Sequence, residues 1–380
     1  MDKERDSPRT GSGSEKPKFD KPVVYPPVVI AHITSNITDL FVNKMQRKEE
    51  IQLHYSAQMN SHPHMGTVMS LMTAFSLGQR LEERFKVPIS LRFEVLENVP
   101  GEQKKVDGIT YAKMRCDTMV NGVPETDIYL KSFKDMLNTL KEYSGVEYNL
   151  LYYKEFQALP FVRKTLLKII DGEKEFIPII APSEDHLRVR FNCPSCDWQE
   201  KEGKTTRIKE KSGDGSLTLT SRCFEHGEHQ VVLAVNNNDF VDMNTPLRNV
   251  IKEALFIEEA KARKGLSLMV DGGDWVHMAT YIVNEGLSRL GYTYEDMSAR
   301  LFTPIIEDWS GAKFSKSVYV AKGTYEYLPQ SFLNLVEFKE QYGNEGVTTL
   351  WNEVHSWTSD PKKLFRNYSS EYIAQLLRKQ

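Results

Sequence analysis

The stretch that most restricts the fold is a strand that ends in a tight polar turn and restarts as a helix. Residues 51–57 (IQLHYSA) are strand-like, and His64-Met65-Gly66-Thr67 opens the run GTVMSLMTAFSLGQRLEERF. In that run Val68, Leu71, Met72 and Phe75 recur at i, i+3, i+4 and i+7, the spacing of a helix that buries one face. Strand, turn, glycine and helix start point the first helical N–H groups and the positive end of the dipole past the strand's end. Such a terminus suits a phosphate. Gly66 removes a side chain where a ligand would approach the backbone closely. Alone, this pattern also fits a purely structural turn.

A second polyanion-binding stretch lies some 250 residues later, at Lys313-Phe314-Ser315-Lys316-Ser317 within GAKFSKSVYV. The Lys313 and Lys316 ammonium groups attract phosphate charge, while the Ser315 and Ser317 hydroxyls and the loop N–H groups donate to its oxygens. Between the two stretches, helix-like and strand-like runs keep alternating, which favours a parallel sheet. Residues 89–96 (ISLRFEVL) alternate as a strand, ETDIYLKSFKDMLNTLKEY reads as a helix, and YNLLYYKEF as a further strand. Residues 97–123 are Gly-rich and read as irregular, at the carboxyl end of a strand beside a ligand crevice. Leu40, Phe41 and Met45 are spaced for a helix face ahead of the first strand.

Further on, Cys193 and Cys196 form one C-x-x-C knuckle, and Cys223 and His226 form a C-x-x-H knuckle. The residues between them read as two strands around the turn Ser212-Gly213-Asp214-Gly215. Three thiolates and one imidazole bracketing a hairpin predict a closed, structural Zn²⁺ site. His226 matches the spacing of the first knuckle, and His229 is the alternative fourth ligand. Lys201, Lys204, Arg207, Lys209, Lys211 and Arg222 make this hairpin a solvated charged surface or an RNA-facing one.

After the hairpin, Thr245 and Pro246 read as N-cap and first residue of a helix that ends at Gly265 and feeds the apolar strand LSLMV. Asp271-Gly272-Gly273-Asp274 follows. A Gly-Gly-Asp turn after an apolar strand lets backbone approach a nucleotide while the carboxylate accepts ribose hydroxyls. The helical run MATYIVNEGLSRLG comes next, and the last residues carry Trp, Phe and Leu at helix-like spacing.

The chain is 380 residues long, 40% hydrophobic and 27% charged, with a net charge of −3. This is ordinary for a soluble α/β core with insertions, or for two to three domains. Nothing in the charge marks a global nucleic-acid binder. No apolar run is long enough to span a membrane, so no membrane contact is expected. The first 22 residues are charged and Ser/Pro/Gly-rich without an apolar signal core, and read as a disordered tail. Four cysteines in a chain of this length fit a reducing compartment, and a cytoplasmic location is the default.

The pair of phosphate stretches resembles the two signature motifs of class I aminoacyl-tRNA synthetases and their nucleotidyl-transfer relatives, H-x-G-H and K-M-S-K-S. Thr67 stands in place of the second His and Phe314 in place of Met. Gly273, Asp274 and His277 are similar to the family's G-x-D-x-x-H segment. Val241, Asp242, Pro246 and Arg248 are similar to a V-D-W-P-M-R stretch, lengthened by two residues before proline. With the zinc knuckles in their place in this order, residues 50–320 look most like the class I type of lysyl-tRNA synthetase. A full C-terminal anticodon-reading domain is not matched.

The resemblance implies an α/β fold: a Rossmann-like (HUP-type) parallel sheet with helices on both faces in a catalytic domain at 23–325. A zinc-ribbon insertion at 185–235 and a short helical C-terminal extension at 326–380 complete it. The implied reaction is Mg²⁺·ATP-dependent activation of an amino acid, lysine or a related one, for transfer to tRNA or to a small-molecule or protein acceptor. The alternatives are another nucleotidyl transfer and a non-enzymatic nucleotide- or RNA-binding relative. By the same resemblance His64 and Thr67 contact phosphates and Gly66 lets adenine pack close. Asp274 holds ribose, helped by Gly273 and His277, and Lys313 and Lys316 neutralise pyrophosphate, with Lys316 foremost. Tyr55, Asp242 and Arg248 are the candidate substrate contacts, and Asp239 and Asp271 are further carboxylates a lysine-like side chain could use.

Overall fold

In the computed structural model, which describes residues 34–308, 311–313 and 329–378, five apolar segments form one parallel sheet. Strand β1 (Glu50–Gln58) runs into helix α1 (Met65–Phe85), which returns the chain to β2 (Ile89–Leu96). A hairpin, β3 (Pro100–Val106) and β4 (Ile109–Met114), precedes helix α2 (Glu125–Ser144) and strand β5 (Glu147–Tyr152). Helix α3 (Pro160–Asp171) leads towards β6 (Gln199–Glu200) and the three strands β7 (Arg207–Lys211), β8 (Leu217–Cys223) and β9 (Gly227–Leu233). Helix α4 (Thr245–Ala262), β10 (Gly265–Gly272), α5 (Asn284–Leu290) and β11 (Ala299–Thr303) complete the sheet, and α6 (Leu335–Ser359) and α7 (Ser370–Arg378) close the chain.

The sheet order is β11-β10-β1-β2-β5, with every pairing parallel. The chain builds outward from β1 through β2 to β5, then crosses back to lay β10 and β11 on the other side of β1. The direction of winding therefore reverses between β1 and β10. In doubly wound sheets the carboxyl ends of the strands at that reversal diverge and leave a crevice for ligand.

Period-2 alternation sorts each strand's residues between two covered faces. Leu53, Leu91 and Leu268 lie side by side in register and pack under α1, α2 and the C-terminal helices. The opposite face carries His54, Arg92 and Met269 in one register row and is covered by α4. Strand alternation normally marks a solvated polar face; here the polar row is roofed, and His54 and Glu94 are buried. Helix α4 starts with the Asn244 side chain accepting from the Leu247 N–H at 3.1 Å, so Asn244 is the N-cap in place of the expected Thr245.

Residues 97–123 are more regular than their glycines suggest. Asp107 and Gly108, at φ 50° and 80°, make a two-residue turn of the kind that suits hairpins, and β4 then pairs with β6 from the cysteine-bearing insertion. The hairpin expected around 212–215 is present, and β9 adds a third antiparallel strand to it.

The C-terminal segment packs as part of the main body. Helix α6, kinked at Gly343 (φ 61°), lies on α1, and Phe338, Leu350, Val354 and Trp357 join the core beneath the sheet. Polar contacts fix the same interface: Ser76 Oγ meets Thr358 Oγ1 at 2.6 Å, and Arg80 Nη2 donates to the His355 carbonyl at 2.8 Å. The 1–22 tail and Phe314, Ser315, Lys316 and Ser317 lie outside the described residues. Among the described residues no helix is long and apolar enough to cross a membrane.

Candidate active site

A crevice of about 350 Å³ opens at the carboxyl ends of β1 and β10, where the winding reverses. Its walls are the last residues of these strands (Tyr55, Ser56, Asp271, Gly272), the first turns of α1 (His64, Gly66, Thr67) and of α4 (Arg248, Lys252), and Asp274 and Lys313. Residues nearly 260 positions apart are thus gathered by the topology alone.

At the α1 end, His64 caps the helix: its Nδ1 accepts from the Thr67 N–H at 3.4 Å, and Thr67 Oγ1 lies 3.3 Å from Nε2. A Cβ on Gly66 would sit 3.0 Å from His64 Cε1 and 3.2 Å from Nδ1, so glycine leaves room for the ring to fold back onto its own helix. Tyr55, buried at the end of β1, reaches the Thr67 carbonyl with its hydroxyl at 3.5 Å. Ser70 on α1 is tied to Thr303 at the end of β11 at 2.8 Å, which fixes the helix start against the sheet.

Across the crevice the Asp271–Asp274 turn ends β10. A Cβ at Gly273 would meet the Thr303 carbonyl oxygen and Ile305 Cγ1, both at 3.1 Å, so this glycine lets the turn lie against the end of β11. Asp274 accepts from Lys313 Nζ, joining the turn to the one described member of the second phosphate stretch. Burial raises the Asp271 carboxyl to about 6 despite the Lys252 and Arg300 charges, the nearer Arg300 contact being 3.8 Å.

The α4 end is the part that sequence reasoning largely missed. Lys252 Nζ donates to Glu94 Oε2 at 2.8 Å and to Ser56 Oγ at 2.6 Å. Burial alone would raise Glu94; the Lys252 charge, with His54 beside it, outweighs that and holds the carboxyl at about 2. His54, stacked on Phe256 at 3.8 Å, is driven down to about 4 by burial. The available signal was Arg248, Lys252 and Glu253 standing on a helix face otherwise continuous with apolar residues.

Of the expected site residues, Tyr55, His64, Gly66, Thr67, Arg248, Asp271, Asp274 and Lys313 line this crevice together. Gly273 lies within the turn but is not on the lining, and three others stand elsewhere. Asp242 is fully buried, bonded to Arg190 Nε at 2.6 Å and Asn98 Nδ2 at 2.7 Å, and is not on the lining. His277 is exposed and stacked on Tyr281 at 5.8 Å, beyond the crevice wall. Asp239 gives its backbone carbonyl to Arg163, behind α3. Lys316, Ser315 and Ser317 fall outside the described residues.

The cysteine-bearing insertion brings Cys193, Cys196, Cys223 and His226 together, with their ligand atoms all within 4.8 Å of one another. Cys196 Sγ is 3.5 Å from Cys223 Sγ, and His226 Nδ1 is 3.7 Å and 3.8 Å from Cys193 and Cys223 Sγ. Three soft thiol donors and an imidazole in this arrangement could hold a metal such as zinc, four protein donors being the complement of a structural site. His229 is outside the cluster, edge-on to Phe191 at 5.1 Å.

No family model matches the chain, and no curated protein matches it in sequence. Among solved structures the chain is similar to a Campylobacter jejuni protein assigned as an arginyl-tRNA synthetase, at 8% identity and a TM-score of 0.38 over 90% of this chain and 70% of that one. It is also similar to Mycobacterium tuberculosis methionyl-tRNA synthetase in two structures with methionyl-adenylate. Identity is 12% in both; TM-scores are 0.42 and 0.44, over 87% and 86% of this chain and 68% of each of those.

Proposed function

We propose that the crevice binds ATP and transfers its adenylyl group to the carboxylate of an amino acid, with release of pyrophosphate. The observation that carries this reading is the convergence of a capped helix N-terminus, a Gly-Gly-Asp turn and a phosphate-stretch lysine at the winding reversal of a parallel sheet. The order of the sequence motifs supports the same chemistry.

In this reading the α1 N–H groups, His64 and the Thr67 hydroxyl face the phosphates, and Asp274 accepts ribose hydroxyls, with Gly273 and His277 supporting that turn. Lys313 exchanges its Asp274 partner for phosphate oxygens, and with Lys316, Ser315 and Ser317 neutralises the departing pyrophosphate. A carboxylate oxygen attacks the α-phosphorus, the bond to the α–β bridging oxygen breaks, and the electron pair leaves on pyrophosphate. The protein's work is to align the two reactants and stabilise charge. Asp271 and Asp274 are oxygen donors of the kind that would hold Mg²⁺, which would offset the charge of the triphosphate. Cys193, Cys196, Cys223 and His226 would hold Zn²⁺, which would serve a structural role there. Tyr55 and Arg248 contact the amino acid, and Asp242, bonded to Arg190 and Asn98, holds the segment that leads into α4. The motif order favours lysine or a related amino acid, and tRNA or another nucleophile as acceptor.

Amino-acid-dependent ATP–pyrophosphate exchange tests this, with and without bulk tRNA. The expected result is exchange with one amino acid that falls at least ~100-fold in Lys316→Ala and less in Lys313→Ala, the scale for losing a charge that stabilises a transition state. Exchange at wild-type rates in both variants overturns the assignment.

A further inference from the structure

We infer that the α4 end of the crevice is a carboxylate site, and that the amino acid taken up is a dicarboxylic one whose side-chain carboxylate docks on Arg248. This rests on the amino-acid-activation reading and names its substrate class.

Arg248 is only 4% exposed yet lines the crevice. Among the described residues its Nε has no hydrogen-bond partner, and Nη2 reaches only Thr245 Oγ1, at 3.5 Å. Among the described residues no carboxylate lies within 4.0 Å of the guanidinium. The two carboxylates whose charges act on it are already engaged: Asp242 by Arg190 and Asn98, and Glu94 by Lys252 and Ser56. A buried cation left in this way is satisfied best by a planar anion that accepts from the guanidinium fork.

The anion is the side-chain carboxylate because the α-carboxylate is committed to the α-phosphorus. Arg248 lines the crevice from the first turn of α4, whereas His64, Gly66 and Thr67, the groups read as facing the phosphates, line it from the first turn of α1. Lys252, one turn further along α4, lines the same wall but is paired with Glu94. A lysine side chain placed there would meet the Arg248 charge, which works against the lysine suggested by the motif order.

Calorimetric titration of the full chain with L-glutamate, L-aspartate, L-glutamine and L-lysine, with a non-hydrolysable ATP analogue titrated separately, tests the inference. We expect one dicarboxylate to bind at least ~10-fold tighter than glutamine or lysine. Arg248→Gln should weaken it by about 100-fold while leaving the ATP analogue within ~2-fold, and Arg248→Lys, which keeps the charge but not the fork, should lose about 10-fold. The wild-type preference needs no variant to fold. Preference for lysine or glutamine, or binding of neither dicarboxylate, overturns the proposal. So does an equal loss of the ATP analogue in Arg248→Gln, which would make Arg248 a phosphate ligand. Dicarboxylate binding without pyrophosphate exchange would uphold the carboxylate site and count against activation.

Discussion

Replacing Lys252 by Met should destabilise the fold by about 3–5 kcal/mol at pH 8, the range for breaking one side of a buried ion pair. The magnitude can be worked from Glu94. Its carboxyl is buried, yet held at about 2 where 4.5 is ordinary, so the surroundings favour the ionised form by roughly 3 kcal/mol after the burial penalty, at 1.36 kcal/mol per tenfold. Lys252, 2.8 Å away, is the largest favourable contributor. Without it burial dominates and Glu94 is driven above 4.5, so the deficit should shrink as pH falls from 8 to 5 and the carboxyl takes up a proton. Glu94→Gln with Lys252→Met removes both charges of this pair and should recover to within about 2 kcal/mol of wild type. Urea unfolding at pH 8 and pH 5 measures all three proteins. A single variant within 1 kcal/mol of wild type at pH 8, or a double variant worse than the single, would refute the reasoning.

Other consequences follow from the same structure. His54 is held neutral by burial, so its folded pKa of about 4 lies below the ordinary 6.5; the unfolded chain takes the proton first. Stability from this group is full above pH 6.5 and falls by about 3 kcal/mol between pH 6.5 and 4, and His54→Gln should flatten that part of a pH–stability curve. Chelation should remove zinc measured by elemental analysis, and Cys223→Ser should prevent its uptake, with proteolysis appearing first around residues 193–226 while the parallel sheet persists. A preparation grown with zinc that carries none would contradict the metal assignment. Trp357 is fully buried and stacked on Tyr368 at 4.1 Å, so Trp357→Ala should cost about 3–5 kcal/mol in global unfolding. A loss confined to local fraying of the C-terminus would show that α6 is not part of the main core.

The frame of the site was legible because local signals and topology agree there. The strand-to-helix turn at His64 and Gly66, the apolar strand ending at Asp271 and the paired cysteine knuckles each combine residue type with fixed spacing, and all three formed as read. The Asp107-Gly108 turn was equally available, but the glycines around it suggested an irregular stretch. What sequence could not supply was the roof over the polar face of the sheet. In residues 89–96 the alternation marks Arg92 and Glu94 as solvent-facing, and only α4, with Lys252 lying 158 positions beyond Glu94, turns that face into a buried ion-pair layer. For the same reason Asp242 read as a substrate contact: its acidity is visible in sequence, while its capture by Arg190 and Asn98 is a matter of packing.

The most direct test of the account is a structure determined with a non-hydrolysable ATP analogue and Mg²⁺. The account predicts the phosphates against the α1 N-terminus with Thr67, the ribose on Asp274, and Lys313 turned from Asp274 to a phosphate oxygen. A nucleotide bound elsewhere, or one in the crevice with its phosphates at the Arg248 end, would contradict it.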